Sequence, residues 1–171
     1  REGRDQPDRV TLITETGKSV TGAKGMTVEA HAGIADIDAL DVLLIPGGQG
    51  TRREVENEAL LAWIAKVSGG CEWVTSVCTG ALLLCAAGPG KSRRVTTHWG
   101  FIEALRERGE AAKVLEEVRY VRDCNVVTAA GVSAGIDMAL WLVGQMHGEE
   151  HARFTQRFMQ YDPAPPYTAA V

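Results

Sequence analysis

The chain has 171 residues, 45% of them hydrophobic, enough to bury one substantial core, and it reads as a single domain spanning 1–171. Lys and Arg number 18 against 22 Asp and Glu, a formal charge of −4, so no basic footprint for nucleic acid exists, and the pairs Arg52-Arg53 and Arg93-Arg94 are surface charge or a loop anchor. No apolar run approaches the roughly 20 residues that cross a bilayer, and four cysteines beside a large core fit a reducing, cytoplasmic setting better than a disulfide scaffold.

In chain order, apolar alternation predicts strands over 10–15 and 26–31, then a buried strand over 42–45 that runs into the turn Pro46-Gly47-Gly48-Gln49-Gly50. A helix follows over 58–67, with Leu60, Leu61 and Ile64 on one face. The apolar run 73–77 is a strand, and 79–87 is a helix stopped by Gly88-Pro89-Gly90. A short strand over 95–96, a helix over 101–108 and a hairpin pairing 119–122 with 126–129 across Asp123-Cys124-Asn125 come next. Ser133 offers an N-cap for a long helix over 134–146, and a last helix covers 149–160 before a Pro-rich tail. Buried strands alternating with helices predict an α/β fold, a three-layer α/β/α sandwich around a mostly parallel sheet.

Cys78 is the residue with most chemical meaning. It closes the run Trp73-Val74-Thr75-Ser76-Val77 and precedes Thr79-Gly80-Ala81, so a strand ends and a helix begins at the cysteine. Such an elbow projects its side chain clear of both elements, and the helix N-terminus behind it favours a nucleophilic thiolate. The plainer alternative is a small core residue, since free cysteine is among the most buried residue types. Two segments favour the nucleophile: the Gly47-Gly48 turn, with backbone N–H groups suited to an oxyanion, and Thr96-Thr97-His98-Trp99, which supplies an imidazole. The alternative for His98 is a structural hydrogen bond. Gly48, Cys78 and the Gly131 turn fall at the carboxyl ends of predicted strands, where sites in parallel sheets form.

The remaining patterns read as structure. Cys85 sits among Leu and Ala, Cys71 at a strand entrance and Cys124 in a turn, none with zinc-finger spacing or a basic neighbour in sequence. His147-Gly148-Glu149-Glu150-His151 fits an inverted zincin pattern, but Gly148 breaks the helix that would have to carry both histidines. Gly90-Lys91-Ser92 follows a helix where a phosphate loop follows a strand, and His31 has no recognisable partner. No metal is expected.

The ordered set of Pro46-Gly47-Gly48, Val77-Cys78-Thr79-Gly80, Thr96-Thr97-His98-Trp99 and 129–137 resembles the DJ-1/PfpI superfamily, relatives of class I glutamine amidotransferases. The Cys-Thr-Gly elbow, the His-Trp pair and the terminal segment 161–167 are most similar to its isocyanide hydratase branch. PfpI-type peptidases place a histidine after the cysteine, where this chain has Thr79. Amidotransferases carry His-x-Glu, where this chain has His98-Trp99-Gly100.

The resemblance implies a flavodoxin-like sheet, a homodimer and a small electrophilic substrate, with no cofactor. It also implies hydration of isocyanides to N-substituted formamides. Cys78 is then the nucleophile, the Thr79 hydroxyl handles protons, His98 polarises the site, the N–H groups of Gly48 and Thr79 stabilise charge, and Gly47 and Trp99 line the substrate. Members of the family open with a βα unit whose acidic residue sits beside the cysteine. The chain opens instead on Arg1-Glu2-Gly3, so about thirty residues are expected upstream, and no Asp or Glu here takes that role. Rival roles within the superfamily are a DJ-1-type redox or carbonyl-stress protein and a ligand-sensing domain of AraC-like regulators. If Cys78 is the nucleophile, brief iodoacetamide treatment at neutral pH followed by mass mapping finds it alkylated before Cys71, Cys85 and Cys124.

Overall fold

A computed structural model describes residues 8–164. In chain order the strands and helices are β1 (Ile13–Thr14), β2 (Val20–Thr21), β3 (Thr27–Val28), β4 (Ala32–Gly33), β5 (Val42–Ile45), α1 (Thr51–Glu54), α2 (Glu58–Ser68), β6 (Trp73–Val77), α3 (Gly80–Ala87), β7 (Arg94–Val95), α4 (Ile102–Glu107), β8 (Lys113–Val114), β9 (Tyr120–Asp123), β10 (Val126–Ala129), α5 (Val132–His147) and α6 (Glu149–Phe158). Short 3-10 turns cover Ile34–Asp36 and Trp99–Phe101.

The central sheet has the order β5-β6-β10-β9. β5, β6 and β10 run parallel, and β9 returns antiparallel across the Cys124 turn. β6 is buried on both faces because its alternate residues feed two separate clusters. Val74 packs with Leu43, Ile45, Ile64 and Leu84 under α2 and α3, whereas Trp73 packs with Val127, Met138 and Leu142 under α5. Helices therefore cover both faces, giving the expected α/β/α layering. Leu84 is fully buried, and burial of one such side chain contributes about 2 kcal/mol.

The hydrophobic pattern located the central strands and long helices, while the outer segments differ. Of the stretch expected as one strand over 26–31, Thr27–Val28 is strand and pairs antiparallel with β2; the next strand, Ala32–Gly33, lies beyond it and pairs parallel with β1. β1 and β4 form a two-stranded sheet of their own, so β5 has β6 as its one ladder partner among the described residues, and Leu44 at that edge is 48% exposed. Ser133 is not the cap of α5. Gly131 holds that position in extended backbone, and the Ser133 hydroxyl accepts from Arg119 Nη2 instead. β2, β4, β8 and α1 are elements the pattern missed, each two to four residues long and too short for periodicity to register. His31 does have a partner, since its Nδ1 accepts from the Leu12 N–H at 2.9 Å.

Among the described glycines, the one at the join between β5 and α3 has the closest backbone approach. A Cβ placed on Gly80 would lie 2.2 Å from the Ile45 carbonyl oxygen and 2.9 Å from that of Pro46, a backbone clash that no side-chain motion relieves. Gly80→Ala is expected to destabilise the protein by on the order of 3 kcal/mol through forced separation of β5 and α3. Gly50→Ala, where a Cβ meets nothing within 4 Å, is expected to change stability by less than about 0.5 kcal/mol. Urea titration of the two variants checks both.

Candidate active site at the Cys78 elbow

β6 delivers Cys78 between its neighbours β5 and β10, and the backbone there turns abruptly into α3. Cys78 adopts φ +57, the left-handed region that few non-glycine residues occupy. Such strain costs about 1–3 kcal/mol and persists only where surrounding structure over-determines it. Three contacts do so. The Cys78 N–H is shared between the Ala129 and Ala130 carbonyls at 3.0 and 2.8 Å, and the Cys78 carbonyl accepts from the Thr97 hydroxyl at 2.8 Å. Ala81 N–H, from the first turn of α3, reaches the same carbonyl at 3.4 Å. The side chain is half-buried rather than enclosed, unlike a core cysteine.

The turn after β5 closes over the elbow. Gly47 has no room for a side chain, because a Cβ there would lie 2.7 Å from Cys78 Cβ and 2.8 Å from the Thr79 nitrogen. The Gly48 N–H donates to Thr79 Oγ1 at 3.0 Å, and the Thr79 hydroxyl lies 3.2 Å from the Gly48 carbonyl to which it donates. Thr51 Oγ1 donates to that carbonyl as well, at 2.8 Å. Thr79 is 3% exposed, and its hydroxyl ties the Gly48 turn to α3 without capping the helix. The Gly48 amide is thus engaged by Thr79, while the Thr79 N–H has no hydrogen-bond partner among the described residues. An unpaired N–H beside the thiol at a helix start is a donor for developing negative charge.

His98 stands one residue beyond Thr97. Its Nδ1 accepts from the Gly100 N–H at 3.2 Å, capping the 3-10 turn, and its ring packs 5.5 Å from Trp99 and 6.5 Å from Phe101. No hydrogen bond joins His98 to Cys78 among the described residues, so the geometry gives the imidazole a capping contact. Trp99 is 78% exposed. The structure brings together Cys78, Thr79, Gly47 and Gly48; His98 and Trp99 follow Thr97 in the chain, and no hydrogen bond joins them to this group among the described residues. Sequence reasoning passed over Thr97, although its hydroxyl contacts the elbow; the Thr-Thr-His-Trp segment had directed attention to the imidazole.

The other cysteines differ from Cys78 and from one another. Burial pushes the Cys85 thiol up to about 12 and also raises that of Cys71, whose Sγ–H donates to the Val67 carbonyl. Cys124 is exposed, and the fold gives it a basic partner distant in sequence: Arg93 Nη1 lies 2.9 Å from its Sγ. Among the described residues no group of three or more His, Cys, Asp or Glu is placed to hold a metal ion. The rings of His147 and His151 are 5.5 Å apart, but His147 Nε2 is paired with Asp8 Oδ2 at 2.6 Å. Beneath the end of β6, an open apolar groove of 300 Å³ is lined by Val77, Ile136, Leu140, Val143 and Met159. No described helix is long and apolar enough to cross a membrane. Residues 165–167 of the terminal segment lie outside the described residues.

Known proteins share the sequence pattern and the fold. The isonitrile hydratase of Pseudomonas putida is 38% identical over 162 residues, which cover 94% of this chain and 70% of that protein. The HTH-type transcriptional regulator CdhR of Pseudomonas aeruginosa is 30% identical over 141 residues, and this match spans 41% of the regulator's length. Among solved structures, a ThiJ/PfpI family protein from Pseudomonas syringae superposes with a TM-score of 0.88 at 33% identity, covering 95% of this chain and 67% of that one. Drosophila melanogaster DJ-1beta shares the fold, with a TM-score of 0.78 at 18% identity over 91% of this chain and 84% of that one. The family model for DJ-1/PfpI matches residues 6–145, and with an elbow cysteine, a glycine turn folded over it and a parallel sheet beneath, the chain belongs to the DJ-1/PfpI family.

Proposed function

We propose that this chain is a cysteine-dependent hydratase that converts isocyanides to N-substituted formamides. The observation that carries the reading is the strained, half-exposed Cys78 beside an open Thr79 N–H, with the Thr79 hydroxyl tied to the Gly48 turn. The similarity to the Pseudomonas putida isonitrile hydratase supports the substrate class.

In this mechanism the Cys78 sulfur attacks the terminal carbon of R–N≡C, forming the S–C bond while a proton is added at that carbon, to give the thioimidate Cys–S–CH=N–R. Water then adds to the same carbon, nitrogen takes a proton, and the S–C bond breaks to release R–NH–CHO and regenerate the thiolate. The sum is one isocyanide plus one water to one formamide. Charge on the tetrahedral intermediate is met by the Thr79 N–H. The Gly48 N–H, held on Thr79 Oγ1, becomes a second donor when that hydroxyl turns to pass a proton. Gly47 leaves the approach clear of side-chain atoms, and exposed Trp99 offers an apolar plate for the R group. His98 acts through the segment it caps. A homodimer in the cytoplasm belongs to the same reading.

Similarity to CdhR favours one second reading, in which the fold binds a small molecule for a regulator and the thiol turns nothing over. The test is direct. The full natural polypeptide is expected to convert an aryl isocyanide to its formamide. Cys78→Ala should abolish turnover without lowering the melting temperature, and Thr79→Ala should lower kcat by about 100-fold, the scale of one lost oriented group. Methylglyoxal consumption is measured in parallel, and its Cys78-dependent loss with the isocyanide untouched replaces hydration by carbonyl chemistry. Neither reaction, with a small molecule raising thermal stability, leaves the sensor.

A further inference from the structure

Thr97 is 1% exposed and lies on no regular element, yet it is held from both sides. Its neighbour Thr96 donates its N–H to Thr128 Oγ1 on β10 at 2.7 Å and its hydroxyl to the Leu115 carbonyl at 2.7 Å. The segment is thereby fixed against the central sheet on one side and the chain after β8 on the other. From that rigid position the Thr97 hydroxyl donates to one acceptor, the carbonyl of Cys78, at 2.8 Å. That carbonyl belongs to the residue at φ +57, and its other contact is the longer one from Ala81 N–H at 3.4 Å.

We propose that Thr97 is a positioning residue for the nucleophile, holding the left-handed Cys78 backbone through its carbonyl so that the sulfur stays at the mouth of the elbow. The inference rests on Cys78 being the nucleophile and is independent of which electrophile it attacks. Two features separate this role from general core packing. A threonine buried for its bulk alone would not need its hydroxyl, and valine would serve there with nearly the same shape. In addition, Ser76, equally buried on β6 two residues before the cysteine, carries a hydroxyl with no hydrogen-bond partner among the described residues. Ser76 is aligned with Thr128 in the β6–β10 ladder and so shares the neighbourhood of the Thr96 anchor. It supplies an internal control for loss of a buried hydroxyl that touches nothing.

The experiment compares the full natural polypeptide with Thr97→Val, Thr97→Ser and Ser76→Ala, reading the rate of Cys78 alkylation by iodoacetamide under native conditions and, separately, kcat and KM for an aryl isocyanide. Thr97→Val is expected to slow Cys78 alkylation and lower kcat by about 10-fold or more with KM little changed, because misplacement of a reacting group acts on the chemical step. Thr97→Ser, which keeps the hydroxyl, restores both to within about 3-fold, and Ser76→Ala matches the parent. If Thr97→Val loses its cooperative melting transition, Thr97→Ala, smaller but equally without the hydroxyl, is read in its place. Parent-like alkylation in the hydroxyl-free variant overturns the proposal, as does an equal loss in Ser76→Ala or failure of serine to rescue. A changed alkylation rate with no isocyanide turnover in any form, the parent included, retains the positioning role and removes the hydratase reading.

Discussion

The Ile45 and Pro46 carbonyls rest against Gly80 so closely that no side-chain atom fits between them, and the site depends on that contact. It brings the exit of one central strand onto the first turn of the helix leaving the next. Once those two backbones touch, the Gly47 turn lies over Cys78, the Gly48 amide reaches the Thr79 hydroxyl, and α3 starts directly behind the sulfur. A thiol at a strand end is ordinary. One roofed by a turn without side-chain atoms, and backed by a helix with an unpaired N–H, has a defined direction of approach. Glycine at these two positions is a requirement of geometry.

The layered core and the site are linked through β6. Its buried faces feed two separate clusters, so the strand is clamped by α2 and α3 on one side and α5 on the other. That clamp resists the relaxation of Cys78 toward ordinary extended or helical backbone. Neighbouring contacts complete the restraint: the cysteine N–H is held by the end of β10 and its carbonyl by Thr97. Strain at one residue is thus balanced by packing spread over the domain, the usual arrangement at functional turns.

Much of this was legible in the sequence because it rests on local signals. The run 73–77 followed by Cys78-Thr79-Gly80 announced the elbow, the Pro46-Gly47-Gly48 turn announced a close approach, and long apolar periodicities placed α2, α3 and α5. Three things were not legible, each for a physical reason. β2, β4, β8 and α1 are too short to carry a period. The cap of α5 fell to Gly131 because Ser133 is drawn to Arg119, a partner 14 residues away in sequence. Cys124 looked bare in its turn, yet pairing of β9 with β10 and the course of the chain before β7 bring Arg93 onto it. The role of Thr97 belongs with these, since a hydroxyl bonded to a backbone carbonyl 19 positions earlier leaves no mark in sequence spacing.

The edge of β5 carries a consequence for how the protein behaves in bulk. β5 is laddered to β6 on one side, and Leu44 projects half-exposed at that margin. A parallel strand edge with an apolar side chain and no charge along Val42–Ile45 lacks the usual devices that keep edges apart, such as lysine, proline or a bulge. Any element that covers that margin therefore acts as a colloidal safeguard as well as a structural part. Left uncovered, such a margin favours strand-templated association in concentrated solution.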